Sequence, residues 1–256
     1  MTRINLNSDM GESFGRYTVG DDAALMKIIK SASIACGFHA GDPLVMANAV
    51  RLARDNGVSI GAHPGFNDLG GFGRRPIRMN AKELEYMVAY QIGALQGIAA
   101  GVGIKVTHVK PHGALNNMAH DEAEYATAIA RAIKSVDRDI IFVANACSEM
   151  VLAGQREGLP VAVEAYVDRT YEDNGNITSR RHADAMIHDP QQAIRQVLSF
   201  IDEQAIISKH GKKIPTPIHT FCAHGDEATG VAVAGAVRAA LEAQGISVVP
   251  LPEMAL

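Results

Sequence analysis

Short apolar runs alternate with longer helical patterns along the whole chain, and this rhythm limits the available folds more than any other feature. Runs at Ile4–Asp9, Ser33–Phe38, Val58–His63, Lys105–Lys110, Ile140–Asn145, Val161–Asp168, Ile218–His224 and Ser247–Leu251 have the length and β-branched content of buried strands. Between them, Ala23–Lys30, Pro43–Asn56, Ala81–Ala100, Asp121–Ser135, Ser148–Glu157, Pro190–His210 and Glu227–Gln244 read as helices. The second helix is marked at both ends. Asp42 stands where it can cap, Pro43 takes the first helical position, and Gly57 suits a left-handed stop. Repeated strand–helix units imply parallel strands joined by right-handed crossovers. An open doubly wound sheet and a closed barrel both satisfy the pattern. The number and even spacing of the repeats favour a barrel, with seven strands if it is incomplete.

The length of 256 residues fits one (β/α)-barrel domain spanning residues 1–256. Aromatic residues make up only 5% and Trp is absent, so Ala, Val, Ile, Leu and Met are expected to fill the interior. A net charge of −4 with no run of Lys or Arg argues against nucleic acid or an anionic membrane as partner. No apolar run reaches the ~18 residues of a membrane span, and no secretory leader is visible. Cys36, Cys147 and Cys222 are too few and scattered for a disulfide framework. A soluble cytoplasmic protein is the expectation.

In a β/α barrel the strand C-termini and the loops after them form the active-site face. Here they carry Asp9, Glu12, His39, His63, Lys110, His112, Asp168, His224 and Asp226. Each has a structural reading of its own. Asp42 and Asp226 suit helix caps, and any single histidine is more often a satisfied structural residue, as for His108, His120, His182, His188, His210 and His219. Four histidines, several acids and a lysine on one rim are harder to attribute to packing, because buried charge is costly unless paired or used. Such a set suits general acid–base hydrolysis of an amide. Asp with two or three His also suits a divalent metal, although no HExxH or HxH spacing marks one. No GxSxG elbow, Walker loop or GxGxxG is present, and Cys36 and Cys222 lie in strands. Two inserts interrupt the rhythm, Pro64–Asn80 and Arg169–Asp189. In the first, glycine N–H groups with Arg74 or Arg75 could clamp a carboxylate or phosphate, or the arginines could simply be solvated.

Taken together, certain segments resemble the LamB/YcsF family, the family of the A subunit of bacterial ATP-dependent 5-oxoprolinase. They are Asn7–Gly15 (NSDMGESFG), Ala35–Pro43 (ACGFHAGDP), Gly61–Gly65 (GAHPG), Gly71–Arg75 (GFGRR), Val109–Leu115 (VKPHGAL), Asp168-Arg169 with Tyr171, and His224-Gly225-Asp226. The chain departs from the usual pattern at Asn5, Ser8, Asn116, Asn174 and Glu227. The resemblance implies an irregular TIM-like, seven-stranded (β/α) barrel of the glycoside hydrolase/deacetylase type. It also implies ATP-coupled opening of 5-oxo-L-proline to L-glutamate in a complex with two partner subunits, B and C. Distant relatives in the deacetylase superfamily bind metal through one Asp and two His, which makes Asp9, His63 and His112 the metal candidates here.

Roles follow from the residue types. Asp9 and Glu12 are candidates for general base or metal ligation. His39, His63 and His112 would orient water or protonate nitrogen, and Lys110 would stabilise an oxyanion. Asp168 and His224 complete the catalytic set. Arg74, Arg75, Arg169, Asn116 and Asp226 form the substrate-binding set, with Asp168–Arg169 and His224–Asp226 as supporting pairs. Two other readings stay open: a stand-alone metal-dependent deacetylase or amidohydrolase, and a non-catalytic binding subunit.

Overall fold

The computed structural model describes residues 2–224 and 229–256. Its elements, in order, are β1 (Arg3–Met10), α1 (Asp22–Leu25), β2 (Ser31–Ala35), α2 (Pro43–Asp55), β3 (Ser59–His63) and α3 (Ala81–Val102). These are followed by β4 (Val106–Val109), α4 (Gly113–Asp121), α5 (Ala123–Val136), β5 (Ile141–Asn145), α6 (Glu149–Glu157) and β6 (Val161–Tyr166). The chain continues through α7 (Pro190–Glu203), β7 (Ala205–Ile207), β8 (Lys213–Pro215), β9 (Thr220–Cys222), α8 (Gly230–Ala243) and β10 (Ser247–Val248).

Strands β1 to β6 pair in sequence order, β9 pairs with β6, and β1 pairs with β9, so seven parallel strands close on themselves. The expected seven-stranded barrel is therefore present. The expected eighth strand shrinks to two residues that extend the sheet at the start of β1.

The caps read from sequence hold. Asp42 accepts hydrogen bonds from Leu44 N–H (2.8 Å) and Val45 N–H (3.1 Å), and α2 stops before Gly57, whose φ is +65°. The same carboxylate accepts Gly15 N–H at 2.7 Å, tying the loop after β1 to the start of α2. Two helical expectations change. The segment Pro190–His210 is helical only to Glu203, where Gln204 turns left-handed at φ +47° and Ala205–Pro215 doubles back as the β7–β8 hairpin. The apolar residues Ala205, Ile206 and Ile207 continue the helical spacing, which hid the break. The helix expected over Asp121–Ser135 is present as α5, and a further helix not expected from the sequence, α4, precedes it and starts directly after His112.

The apolar core lies mainly between barrel and helices, where Leu6, Ile34, Ile60, Phe142 and Phe221 meet Val50, Ile92, Ile129 and Val237. Inside the barrel, the expectation of Ala, Val, Ile, Leu and Met filling is only partly met. Ile141, Val143, Ala162 and Leu251 form a small apolar cluster at one side. The rest is polar: Asn5, Asn7, Ser31, His108, Glu164 and Thr220 are all at most 1% exposed. Strand alternation explains the split, since successive residues face opposite sides of the sheet. On β1, Leu6 faces the helices while Asn5, Asn7 and Asp9 face inward, with Asn7 bonded across the barrel to Glu164 and Thr220.

Candidate active site

A basin of about 610 Å³ opens over the C-terminal ends of the strands. Asp9, Glu12, His63, Lys110 and His112 line one wall, and Arg74, Arg169, Arg180, Arg181 and His224 line it elsewhere, together with Asn116 from α4. The topology thus brings together residues from β1, β3, β4, β6 and β9, as strand-end positions in a barrel require.

The densest part is a carboxylate among three imidazoles. Glu12 Oε1 lies 3.0 Å from His39 Nε2, 3.2 Å from His112 Nδ1 and 3.9 Å from His63 Nε2. His63 Nε2 is also 3.3 Å from Asp9 Oδ2 and 3.0 Å from His112 Nδ1. The His39 and His112 rings stack at 3.7 Å and 4°. The other nitrogens of two rings are already committed: His63 Nδ1 donates to Lys110 O at 2.7 Å, and His112 Nε2 donates to Phe72 O at 2.8 Å. Carbonyls only accept, so in the neutral rings His63 Nε2 and His112 Nδ1 carry lone pairs. Those lone pairs face each other beside two carboxylates, an arrangement that calls for a cation between them.

Glu12, His39, His63 and His112 offer donor atoms all within 4.8 Å of one another. Their imidazole and carboxylate donors suit a borderline divalent ion such as zinc. Relative to the set read from sequence, Glu12 and His39 join His63 and His112, while Asp9 stands beside His63 at the edge.

Electrostatics follow the geometry. Burial would raise the Glu12 carboxyl, but the adjacent His112 and His39 outweigh it and hold the group well below the usual range. Burial and the neighbouring His112 push His39 down to about 3 and keep it neutral, against the opposing pull of Glu12. Two glycines make the cluster sterically attainable. A Cβ on Gly65 would lie 2.7 Å from His39 Nδ1. One on Gly73, whose φ is +62°, would lie 2.7 Å from His39 Cβ and 2.9 Å from His112 Cδ2.

Lys110 sits beneath this cluster, 2% exposed, with its ammonium enclosed by acceptors of the protein. Its Nζ lies 2.9 Å from Asp9 Oδ1, 3.1 Å from Glu164 Oε1 and 3.0 Å from Cys222 Sγ. Asn7 Oδ1, at 3.4 Å, is a fourth acceptor around the same ammonium, so the oxyanion role expected of Lys110 competes with four partners inside the protein. Burial alone would raise the Asp9 carboxyl, but His63 and Lys110 keep it well below its ordinary value. Asp9, Cys222 and His224 also cluster, but the ammonium already supplies the positive charge there.

Across the basin, Asp168 pairs with His224 rather than with Arg169. Both carboxylate oxygens accept from His224 Nδ1, at 2.9 and 2.8 Å, and the ring stacks on Tyr166 at 5.4 Å and 6°. Burial works against the Asp168 charge, but His224 and Arg169 outweigh it and lower its pKa. Asp226, expected to support His224 and to contact substrate, lies outside the described residues.

The two inserts behave differently from expectation. Gly65 N–H donates to Gln91 Oε1, Gly71 N–H to Asp68 Oδ1 and Gly73 N–H to Asp68 O, so these groups do not cradle an anion. Arg75, expected to bind substrate, is bound to the Asp68 carboxylate and does not line the basin. Arg169 lines the basin but is buried, donating to Thr178 O at 2.6 Å and Ala185 O at 3.4 Å, and so fastens the second insert. Arg74 reaches the basin as expected, its guanidinium 5.0 Å from the Phe72 ring centroid. Arg180 and Arg181 of the second insert were not anticipated. Their signal was a basic pair inside a segment already marked as irregular. Glu164 and Tyr166 were also missed, although inward alternation on β6 points to both.

Comparison with known proteins bears on this basin. The sequence profile of the LamB/YcsF family matches residues 4–256. A Rhodopseudomonas palustris (strain CGA009) protein, named as the A subunit of 5-oxoprolinase, is 53% identical over 249 residues, covering 97% of this chain and 98% of that one. The protein of the same name from Azoarcus sp. (strain BH72) is 49% identical over 254 residues, 99% of each. The crystal structure of a lactam utilization protein from Thermus thermophilus superposes with a TM-score of 0.92 at 38% identity, over 98% of this chain and all of that one.

Proposed function

The chain belongs to the LamB/YcsF family, and on that premise we propose that it is the ring-opening subunit of a 5-oxoprolinase. The reaction is hydrolysis of the lactam of 5-oxo-L-proline to L-glutamate, driven by ATP in an assembly with two partner subunits. The observation that carries the reading is the opposition of two acid–base centres across one basin: Glu12 with its histidines on one wall, and the Asp168–His224 pair on the other.

A five-membered lactam is a poor electrophile with a poor leaving group. Activation of the lactam oxygen with ATP belongs to the partner subunits in this proposal, and water delivery and proton transfer belong to the basin. Asp9 and Glu12, both held ionised, orient water and accept its proton. His224 as the imidazolium, its Nδ1–H held by Asp168, gives its Nε2 proton to the departing nitrogen and is left neutral. Arg180 and Arg181, with Arg74, hold the substrate carboxylate. Asn116 contributes a neutral polar contact from α4. Glu12, His63 and His112, with His39 or Asp9, would hold a divalent ion, which would supply Lewis acidity at the substrate carbonyl.

The test is an ATP-dependent 5-oxoproline hydrolysis assay of this chain with and without its partner subunits. Full activity of the chain alone would overturn the division of labour. Unchanged turnover of His112→Ala and Asp9→Ala in the assembly would overturn the site. The metal-competent cluster also favours a second reading, a stand-alone metal-dependent amidohydrolase or deacetylase. Chelator-sensitive amide hydrolysis by the isolated chain without ATP would establish that one instead.

A further inference from the structure

We propose that Thr220 and Asn7 are positioning residues for the basin. A one-way chain of side-chain hydrogen bonds through the barrel holds the Glu164–Lys110–Asp9 array from below.

The direction of every link follows from donor chemistry. Thr220 Oγ1 lies 2.7 Å from Asn5 Oδ1, and a carbonyl oxygen only accepts, so the hydroxyl donates downward. Its lone pairs then face Asn7, which donates through Nδ2 at 2.7 Å and gives its second N–H to Glu164 Oε1 at 2.9 Å. That orientation leaves Asn7 Oδ1 facing Lys110 Nζ at 3.4 Å. Below, Asn5 Nδ2 donates to Ser31 Oγ at 2.8 Å and to Val249 O at 2.7 Å. Ser31 Oγ also accepts Leu251 N–H at 3.0 Å, so its own proton goes to Ser59 Oγ at 2.8 Å.

From Lys110 through Asn7, Thr220, Asn5 and Ser31 each donor points toward the barrel floor, and the second N–H of Asn7 branches back to Glu164. Bonds aligned in this way strengthen one another in a low-dielectric interior. Asn5, Asn7, Ser31, Glu164 and Thr220 are at most 1% exposed, so bulk water does not replace a lost link. Removing the Thr220 hydroxyl frees the Asn7 amide to turn, and Glu164 and Lys110 lose the partner that fixes them. Asp9 touches the ammonium at 2.9 Å and lines the basin, so the disturbance reaches the site.

Thr220→Val keeps the shape and cuts the chain, and Thr220→Ser restores the donor. The inference rests on the proposed ring opening only for its kinetic arm. In the assembled enzyme we expect Thr220→Val to lower kcat ~10-fold at unchanged KM, as losing a supporting partner typically does, and Thr220→Ser to recover it. The second arm is independent of activity. Lys110 is the one buried lysine among the described residues, so in a chain labelled with ¹⁵N-lysine its ammonium protons are the ones protected from exchange. That resonance should shift and exchange faster in Thr220→Val and return in Thr220→Ser. An unchanged resonance in Thr220→Val overturns the chain of contacts. A changed resonance with wild-type turnover overturns its role in the basin. An assembly inactive on 5-oxoproline counts against the ring-opening reading, while the resonance still decides the inference.

Discussion

His63 Nε2 and His112 Nδ1 lie 3.0 Å apart, and the far nitrogen of each ring is bonded to a main-chain carbonyl. Each carbonyl fixes which nitrogen carries the proton, so the facing pair is built to share a cation. Chelator-treated protein should take up one equivalent of Zn²⁺ by titration calorimetry. His112→Ala should weaken that uptake by at least the ~10–100-fold typical of a disturbed site. Failure of the wild-type chain to bind micromolar zinc would leave a proton as the occupant.

Lys110 is the only ammonium among the described residues that touches both Asp9 and Glu164. Lys110→Met should therefore cost about 3–5 kcal/mol in urea unfolding, because two buried carboxylates lose their counter-charge. Adding Glu164→Gln to that variant should recover part of the loss. A single-variant cost below ~1 kcal/mol would show that the pair is hydrated instead.

His108 is buried within the barrel, and burial, then the nearby Lys110 and His63, hold its pKa down at about 3. The unfolded value is about 6.5, so below that pH the unfolded chain takes up the proton first. The contribution of a neutral His108 is whole above pH ~6.5 and is lost as pH falls toward 3, at up to about 1.4 kcal/mol per unit. Between pH 7 and 5, His108→Asn should lose less stability than wild type does. Parallel losses in the two proteins would rule this out.

Arginines from two inserts stand in different places. Arg180→Ala and Arg181→Ala should raise KM for 5-oxoproline about tenfold or more with little change in kcat, as expected when a charged hydrogen bond worth about 1.5–3 kcal/mol is lost. Arg75→Ala should alter neither constant, because its guanidinium is held by Asp68 away from the basin. The opposite ranking in steady-state kinetics would return the clamp to the first insert.

Much of this was legible because it depends on local pattern. The seven barrel strands, the Asp42 cap and the gathering of Asp9, Glu12, His39, His63 and His112 all follow from periodicity and from the rule that strand ends carry the site. Pairing across space was not legible. That Asp168 chooses His224 over Arg169, and that Arg75 turns to Asp68, depends on side-chain directions that linear spacing does not encode. The roles of Lys110 and Glu164 were hidden for another reason. An inward polar residue on a strand reads as an interruption until the residue opposite it is known.

Asn5 and Thr220, 215 residues apart in sequence, meet across the seam that closes the barrel. The pairing that closes the barrel therefore joins the two ends of the chain, the kind of long-range contact that slows folding. A slip of one residue at the seam would turn the amides of Asn5 and Asn7 into the apolar layer beneath the helices and bring Leu6 inward. The polar interior thus acts as a proofreading device for assembly: it penalises the wrong alignment at the moment the sheet joins its own edge.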